Sequence, residues 1–474
     1  GKLVPGQAES YEKTENDDGT VTYTFKLRDG IKWSDGKDVT AGDFEYSWKR
    51  LVNPETAADY NYMLDGVVNA NEIIAGEKDP DELAAKALDD KTFEVTLVND
   101  LSYFEELCAF PAMMPVREDM IEKAGDQWTF DTATYISNGA YKLKEWTHNS
   151  QIVVEKNENY YDVENLGPET ITFKLMDDQN AMLSGFNSGE LDFIEDVPQA
   201  EIANLIASGD MKIVDYIGTY YVCFQTQKAP FDDPRVRKAF SLAIDRTYIV
   251  NQVTQSGQVE AGGFVPSGVY DADGADGDDF RTVGGDYYKP TDADYEANCD
   301  EARQLLADAG YPNGEGFPVV EYLYNTSDAH KAVAEALQFM WEEELGVKVT
   351  LNNQEWAAFL QTRKDGDYSI ARNGWIADYN DPISFLDMWM TGGGNNDAQY
   401  ANDDYDALIK QAKTTTDNAE RMDLLHQAED KLIGEDSVLA PLYFYTQKYM
   451  LADGIEGMYY CPLGYFFFGY THQA

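Results

Sequence analysis

Basic residues are scarce in this chain of 474 residues. It contains 36 Lys and Arg against 86 Asp and Glu, which gives a formal net charge of −50. This balance argues against nucleic acid as a partner, because phosphate backbones are bound by stripes of Lys and Arg and this surface would repel them. The sequence also contains no apolar run of about 18 residues, so we expect no membrane-spanning helix.

Cysteine and histidine are too few and too scattered for a metal centre. Four cysteines, at positions 108, 223, 299 and 461, follow no C-x-x-C spacing, and the four histidines share no ligand spacing. The acidic run at residues 271–279 lacks a Gly at the sixth position and a closing Glu, so it does not match a calcium loop. We therefore expect no metal, no cofactor, small buried cysteines and a solvated acidic loop.

Aromatic residues are abundant, and one stretch concentrates them with charge. With 43% hydrophobic and 13% aromatic residues, the chain can form two or three globular domains. Residues 368–371 are typical of a buried strand, and the groups that follow suit recognition of another molecule. They are Arg372, Trp375, Asp378, Tyr379 and Asn380.

Two strand–helix units precede this stretch. Strands are predicted at residues 319–325 and 347–351, with helices near 330–345 and 357–364. Because ligands bind at the ends of strands in open α/β sheets, we expect the three strand ends to line one crevice. Arg372 and Asp378 place both signs of charge there, which suits a zwitterion. Alternatively, the side chains of Trp375 and Tyr379 fill the hydrophobic core and do not contact a ligand.

Several longer blocks carry a family resemblance. They are residues 23–44 (YTFKLRDGIKWSDGKDVTAGDF), 137–143 (SNGAYKL), 231–240 (FDDPRVRKAF), 305–311 (LLADAGY) and 377–380 (ADYN). With them, essentially the whole chain resembles the oligopeptide-binding proteins, the peptide branch of the extracytoplasmic solute-binding proteins that serve ABC importers. The resemblance implies a non-enzymatic monomer, without a cofactor, that captures oligopeptides between two lobes and delivers them to ABC transporter permease subunits.

The resemblance also implies an architecture and a location. We expect an α/β, two-lobed periplasmic-binding-protein-like fold (type II, cluster C), with an additional domain inserted in the first lobe and a two-strand hinge. The extra domain would span residues 1–116, the first lobe 117–217 and 446–474, and the second lobe 218–445. Relatives carry a further segment ahead of Pro5, so part of the first lobe is expected to be missing. The protein would lie in the periplasm or on the cell surface as a lipoprotein, reaching the membrane only through an anchor or the transporter.

Site residues follow from the resemblance position by position. Asp378 resembles the carboxylate that binds the peptide ammonium, and Arg372, Arg363 and His330 resemble cationic contacts for the peptide carboxylate at different lengths. Ala371 and Gly374 would pair with the peptide backbone. The remaining residues implied to contact the peptide are Asn325, Trp356, Trp375, Tyr60, Tyr216, Tyr221 and Tyr445. Some relatives carry a disulfide at the positions of Gly218 and Ile376, where this chain has no cysteine.

The residues alone do not exclude two other functions. A secreted glycoside hydrolase could use two of the many carboxylates across a cleft. An oligosaccharide-binding relative of the same fold would rely on stacking aromatics such as Trp356 and Trp375. No G-x-S-x-G, H-E-x-x-H or Walker motif occurs. The charged group of Asp378, Arg372 and His330 favours a peptide over a neutral sugar.

Overall fold

The chain folds as two compact units in the computed structural model, which describes residues 3–474. Unit 1 comprises the chain up to residue 194 with residues 451–461 and 465–474, and unit 2 comprises residues 195–450 and 462–464. The lobe boundary expected after residue 217 falls inside a 13-residue strand, Lys212–Phe224, and the expected lobes stay predictions. A separate extra domain at residues 1–116 stays a prediction.

Unit 1 is built mainly from antiparallel strands. Its strands are β1 (Ala8–Glu15), β2 (Val21–Leu27), β3 (Ala85–Asp89), β4 (Thr92–Leu97), β5 (Tyr141–Thr147), β6 (Gln151–Lys156), β7 (Thr170–Lys174), β8 (Phe193–Ile194), β17 (Ile455–Glu456), β18 (Tyr459–Cys461), β19 (Tyr465–Phe467) and β20 (His472–Gln473). Its helices are α1 (Ala41–Val52), α2 (Ala70–Ile74), α3 (Phe104–Leu107), α4 (Glu118–Ala124) and α5 (Gln179–Asn187). The two larger sheets have the strand orders β1-β2-β4-β3 and β5-β6-β7.

Local sequence explains the start of unit 1. Alternate residues of β2, including Val21 and Tyr23, are buried, as expected for a strand with one face on a core. Helix α1 begins after Thr40, whose backbone N–H donates to the Asp43 carboxylate over 2.8 Å and completes a capping box.

Unit 2 is a mixed α/β unit around one large sheet. Its strands are β9 (Lys212–Phe224), β10 (Val259–Glu260), β11 (Tyr270–Asp271), β12 (Gly274–Asp279), β13 (Val320–Asn325), β14 (Val349–Gln354), β15 (Ile370–Ile376) and β16 (Leu439–Leu451). Its helices are α6 (Gln199–Ser208), α7 (Pro234–Leu242), α8 (Arg246–Tyr248), α9 (Phe280–Gly284), α10 (Asp292–Asp308), α11 (Asp328–Leu345), α12 (Trp356–Lys364), α13 (Ile383–Leu386), α14 (Asp403–Thr414) and α15 (Asn418–Glu429).

The order of strands in the large sheet sets the position of the site. The path runs β10-β16-β9-β15-β13-β14. Strands β13, β14 and β15 are parallel, whereas β9 is antiparallel to both β15 and β16. The predicted pattern of two strand–helix units followed by a third strand is confirmed. Apolar side chains of β9, β13, α7 and α11, such as Phe224, Phe240 and Trp341, form the core beside this sheet.

The acidic run at residues 271–279 is folded rather than simply solvated. It forms part of the β11–β12 hairpin, and Asp271 is 7% exposed. His426 Nε2 lies 2.8 Å from Asp271 Oδ2, and its ring stacks on Phe280 with centroids 3.8 Å apart. The expected solvated loop is exposed at residues 273 and 275–278 but not at Asp271, because α15 supplies a partner from a distant part of the sequence.

The described part of the chain contains no helix with the length and apolar character needed to span a membrane. In the same residues, no group of three or more His, Cys, Asp or Glu side chains could hold a metal ion. The four cysteines are free thiols, with Cys223 and Cys299 buried.

Candidate functional site

Three parallel strands end at one edge of the large sheet. Strand β13 pairs with β14 so that Asn325 lies opposite Gln354, and β13 pairs with β15 on its other side. Because parallel strands present their carboxyl ends at the same edge, the polar residues that follow them are brought together as expected. This edge collects Asn325, His330 at the start of α11, and the residues of β15.

Strand β15 is an interior strand at its beginning and an open edge afterwards. Ala371 has Leu323 of β13 on one side and Cys223 of β9 on the other. Beyond Ala371 the pairing with β13 stops, although β13 itself continues to Asn325, which contacts the Arg372 side chain. The stretch that is paired with β9 and extends beyond the end of β13 is residues 374–376. Ala371 therefore offers no edge to a ligand, which corrects its expected role, whereas Gly374 lies on the open stretch.

Side chains of β15 alternate between the two faces of the sheet. Arg372 and Gly374 lie on the face that carries Tyr220, because Gly374 is the register partner of Tyr220. A Cβ added at Gly374 would collide with the Tyr445 hydroxyl. Glycine therefore leaves room for Tyr445 above the strand.

Arg372 is a cation without an anion. Its Nη1 lies 3.3 Å from Asn325 Oδ1, its Nη2 3.4 Å from the Tyr445 hydroxyl, and its guanidinium 5.1 Å from the centre of the Tyr220 ring. Among residues 3–474 no carboxylate lies within ion-pair distance of it. A partly buried guanidinium in this setting is ready to accept an anion.

His330 is a neutral neighbour of this cation. Burial, and then the charge of Arg372, lower the pKa of His330 to about 2. Its place in the first turn of α11 acts in the same direction, because a helix N-terminus disfavours positive charge. His330 was expected to be a cationic contact, and this expectation is corrected: it supplies a polar N–H and no charge.

Arg363 differs from Arg372 because it has an internal partner. Its Nε lies 3.0 Å from Asp397 Oδ2, and its Nη1 donates to Asn373 Oδ1 over 2.7 Å. Asn373 in turn donates to Asp397 over 3.0 Å and accepts from the Gly374 N–H over 2.8 Å. Arg363 is thus already neutralised within the protein, which corrects its expected role as a cation available to a ligand.

Asp378 is a carboxyl group without a cationic partner among the described residues. Its backbone N–H donates to the Ser384 hydroxyl over 2.9 Å, while its carboxylate has no ion-pair or hydrogen-bond partner among the described residues. Burial, and then the charge of Asp387, raise the pKa of Asp378 to about 8. Such a carboxyl group gains strongly from a ligand that brings positive charge.

The turn that carries Asp378 is anchored by contacts that sequence reasoning missed. Arg421 of α15 makes a two-point ion pair with Asp381, with distances of 2.8 and 2.6 Å. The Trp375 indole N–H donates to the Ser384 carbonyl over 2.7 Å. Asn380 accepts from the Tyr270 N–H over 2.9 Å. No local pattern marked Arg421 or Asp397, because their partners are distant in sequence.

The remaining predicted residues are distributed differently. Tyr216 packs against Tyr445 with ring centres 5.7 Å apart, on the face of Arg372. Tyr221 is 0% exposed and packs against Phe264 on the opposite face, so its side chain cannot line an open pocket. This corrects the expectation for Tyr221. Trp356, at the start of α12, is 53% exposed.

Tyr60 belongs to unit 1. Its ring packs against Phe110, with centroids 5.3 Å apart, and against Tyr62, at 5.8 Å. In unit 2, Gly218 and Ile376 are register partners of β9 and β15. The Ile376 side chain fills the space that a Cβ of Gly218 would occupy, so an apolar contact stands where some relatives carry a disulfide.

Comparison with known families decides the classification. The model of the bacterial extracellular solute-binding proteins, family 5 (middle region), matches residues 2–397. The chain belongs to this family. The periplasmic oligopeptide-binding protein OppA of Salmonella typhimurium is 39% identical over 462 residues, covering 96% of this chain and 82% of the relative. The dipeptide-binding protein DppE of Bacillus subtilis is 36% identical, covering 97% and 82%.

Solved structures of family members have the same fold. Listeria monocytogenes OppA bound to peptide matches with a TM-score of 0.89 at 30% identity, covering 99% of this chain and 90% of that one. Haemophilus influenzae OppA in complex with the peptide RPPGFSPFR matches with a TM-score of 0.87 at 33% identity, covering 96% and 87%. These relatives support the predicted two-lobed α/β fold class and lend no support to the glycoside hydrolase alternative.

Proposed function

We propose that this protein is an extracytoplasmic receptor that captures oligopeptides and delivers them to an ABC transporter for uptake. One observation carries the proposal: at the end of one strand, unit 2 presents a cation without an anion, Arg372, and a carboxyl group that would ionise beside a cation, Asp378. A peptide with free termini carries the complementary charges. The peptide-binding relatives support the same conclusion.

Affinity for many sequences must come from what all peptides share. These shared parts are the terminal ammonium, the terminal carboxylate and the backbone amides. Asp378 would pair with the ammonium, and Arg372, with Asn325 and the neutral His330 beside it, would bind the carboxylate. Charge-assisted contacts of this kind gain strength when ligand and protein are withdrawn from water.

The open edge of β15 suits the peptide backbone. From Gly374 to Ile376 the strand is paired with β9 and extends beyond the end of β13. An extended peptide can lie along such an edge as an added strand, which gives affinity without dependence on side chains. The Gly374 N–H already donates to Asn373, and the Arg372 carbonyl accepts from Arg363 Nη1 over 3.4 Å, so the Gly374 carbonyl would make the pairing.

Several finer features belong to the proposal. The protein would act as a monomer without catalytic activity, would dock on permease subunits of the transporter, and would work in the periplasm or as a lipoprotein on the cell surface. Tyr216, Tyr445, Trp356 and Trp375 would surround the peptide side chains.

Native mass spectrometry of the protein as purified tests the function. We expect a ladder of co-purifying peptide masses that disappears after partial unfolding, dialysis and refolding. Calorimetry should then measure binding of added peptides with free termini, and incubation should leave those peptides intact. A stripped protein that binds no peptide, or one that releases product from peptides or oligosaccharides, would overturn the proposal.

A further inference from the structure

Tyr220 lies beneath two polar groups of the site without being exposed itself. Its hydroxyl is 3.3 Å from His330 Nδ1, and its ring lies 5.1 Å from the Arg372 guanidinium. The ring also stacks on Tyr443 with centroids 4.9 Å apart, and Tyr220 is 1% exposed. A side chain buried in this way cannot touch a ligand, so any effect on binding must pass through His330 or Arg372.

The charges around Tyr220 fix the direction of its hydrogen bond. Burial raises the pKa of Tyr220, so the hydroxyl keeps its proton. Arg372 and Tyr322 both donate towards the phenol oxygen and so occupy its lone pairs, which turns the O–H towards the imidazole. An imidazole nitrogen is also a better acceptor than a phenol oxygen. Tyr220 therefore donates and His330 Nδ1 accepts, which leaves the single imidazole proton on Nε2.

We propose that Tyr220 is a positioning residue that holds His330 in the tautomer protonated at Nε2, so that the site offers a neutral N–H beside the positive Arg372. With Arg363 neutralised by Asp397, the anion-binding end then carries one net positive charge. The role in ligand binding rests on the proposed function, since it requires the carboxylate of a peptide to reach His330. The tautomer itself does not depend on any ligand.

The consequence is selectivity for a single negative charge. A protonated His330 beside Arg372 would offer two charges and would favour dianions such as phosphate groups. A neutral N–H adds a hydrogen bond without adding charge, which suits one carboxylate. The groups that face His330 are Arg372 on β15 and Tyr220 on β9, so no carboxylate of these strands restores its proton.

Nitrogen-15 spectra of the imidazole rings, with His330→Gln used to assign the signals, test the tautomer without ligand. We expect the Nε2-protonated form in the parent protein, unchanged between about pH 8 and 5. Tyr220→Phe keeps the ring but removes the donor, so the spectrum should change to a mixture of tautomers. Tyr443→Phe, which removes a neighbouring hydroxyl that does not contact His330, should leave it unchanged. An Nδ1-protonated or positively charged ring in the parent, or an unchanged spectrum in Tyr220→Phe, would overturn the proposal.

Calorimetry then tests the effect on ligands. Tyr220→Phe should weaken peptides with a free carboxylate by about three- to tenfold and their C-terminal amides less, in line with one perturbed hydrogen bond. His330→Gln places an amide N–H near the position of Nε2 without needing Tyr220. In that background Tyr220→Phe should have little further effect. If the spectra change as expected but the affinity does not fall, Tyr220 still positions His330. That result would contradict only the proposed contact between the peptide carboxylate and His330.

Discussion

Arg363 and Asp397 form a nearly buried ion pair, with 3.0 Å between Nε and Oδ2 and side chains 10% and 14% exposed. Breaking such a pair leaves an uncompensated charge and typically costs about 3–5 kcal/mol. We therefore expect Arg363→Met to lower the free energy of unfolding by about this amount. Denaturant unfolding of the peptide-free protein provides the measurement, with Arg372→Met as the matched variant. Equal losses of stability in both variants would contradict the distinction between the two arginines.

Arg372 should matter for ligands and should depend on their length. If Asp378 fixes the ammonium, the carboxylate of a longer peptide lies further along the groove. Arg372→Ala should accordingly weaken short peptides most. Calorimetry with a series from dipeptides to hexapeptides measures the dependence, and the same loss at every length would make Arg372 a structural residue.

Asp378 should discriminate between free and blocked amino termini. Removing one partner of a buried charge pair costs about 2–5 kcal/mol, so Asp378→Ala should weaken free-amine peptides by this amount. N-acetylated peptides, which bring no ammonium, should lose far less. A cycle of parent and variant against free and acetylated peptide isolates the coupling from general damage. A coupling free energy near zero would mean that Asp378 serves only the turn that leads to Pro382.

Peptide binding should release a proton below pH 8. The pKa of Asp378 in the empty protein is about 8, above its ordinary value of 3.8, so its carboxyl group is largely protonated at neutral pH. An ammonium ligand favours the ionised form, so affinity should fall as pH decreases from 8, by at most about tenfold per pH unit. In the empty protein, the stability that the raised pKa contributes is present below pH 4 and is lost as pH rises towards 8.

Calorimetry in buffers of different ionisation enthalpy measures the released protons directly. At pH 6–7 we expect close to one proton per peptide for the parent and none for Asp378→Asn. A parent protein that releases no proton over this range would show that Asp378 is ionised before the peptide arrives.

Gly374 should not tolerate a side chain. A Cβ at this position would collide with the Tyr445 hydroxyl, which also contacts Arg372. Displacing Tyr445 should cost about 1–3 kcal/mol in peptide affinity or in stability, as overpacking does elsewhere. Gly6→Ala is the control, because the space around Gly6 is open. Unfolding curves and calorimetry of both variants provide the comparison.

Much of the site's framework was predictable because it depends on local patterns. The strands and helices from β13 to β15 follow the periodicity of their own sequences. The end of β15 could not be predicted in this way. The local pattern predicts the strand only as far as Ala371. Its continuation to Ile376 depends on pairing with β9, a contact with a distant segment that no local pattern contains.

The charges of the site were less predictable than its position. Arg363, Arg372 and His330 look equivalent in sequence as potential cations. Asp397 neutralises Arg363, and burial beside Arg372 keeps His330 uncharged. Both effects arise from tertiary contacts, so residue type alone could not identify which of the three carries free charge.

The open stretch of β15 also affects how copies of this protein behave towards one another. An unpaired strand edge is a template for strands of other chains, and natural sheets protect such edges with charged side chains. Arg372 places a charge just before this stretch. We therefore expect the charge of Arg372 also to disfavour edge-to-edge pairing between copies of the empty protein.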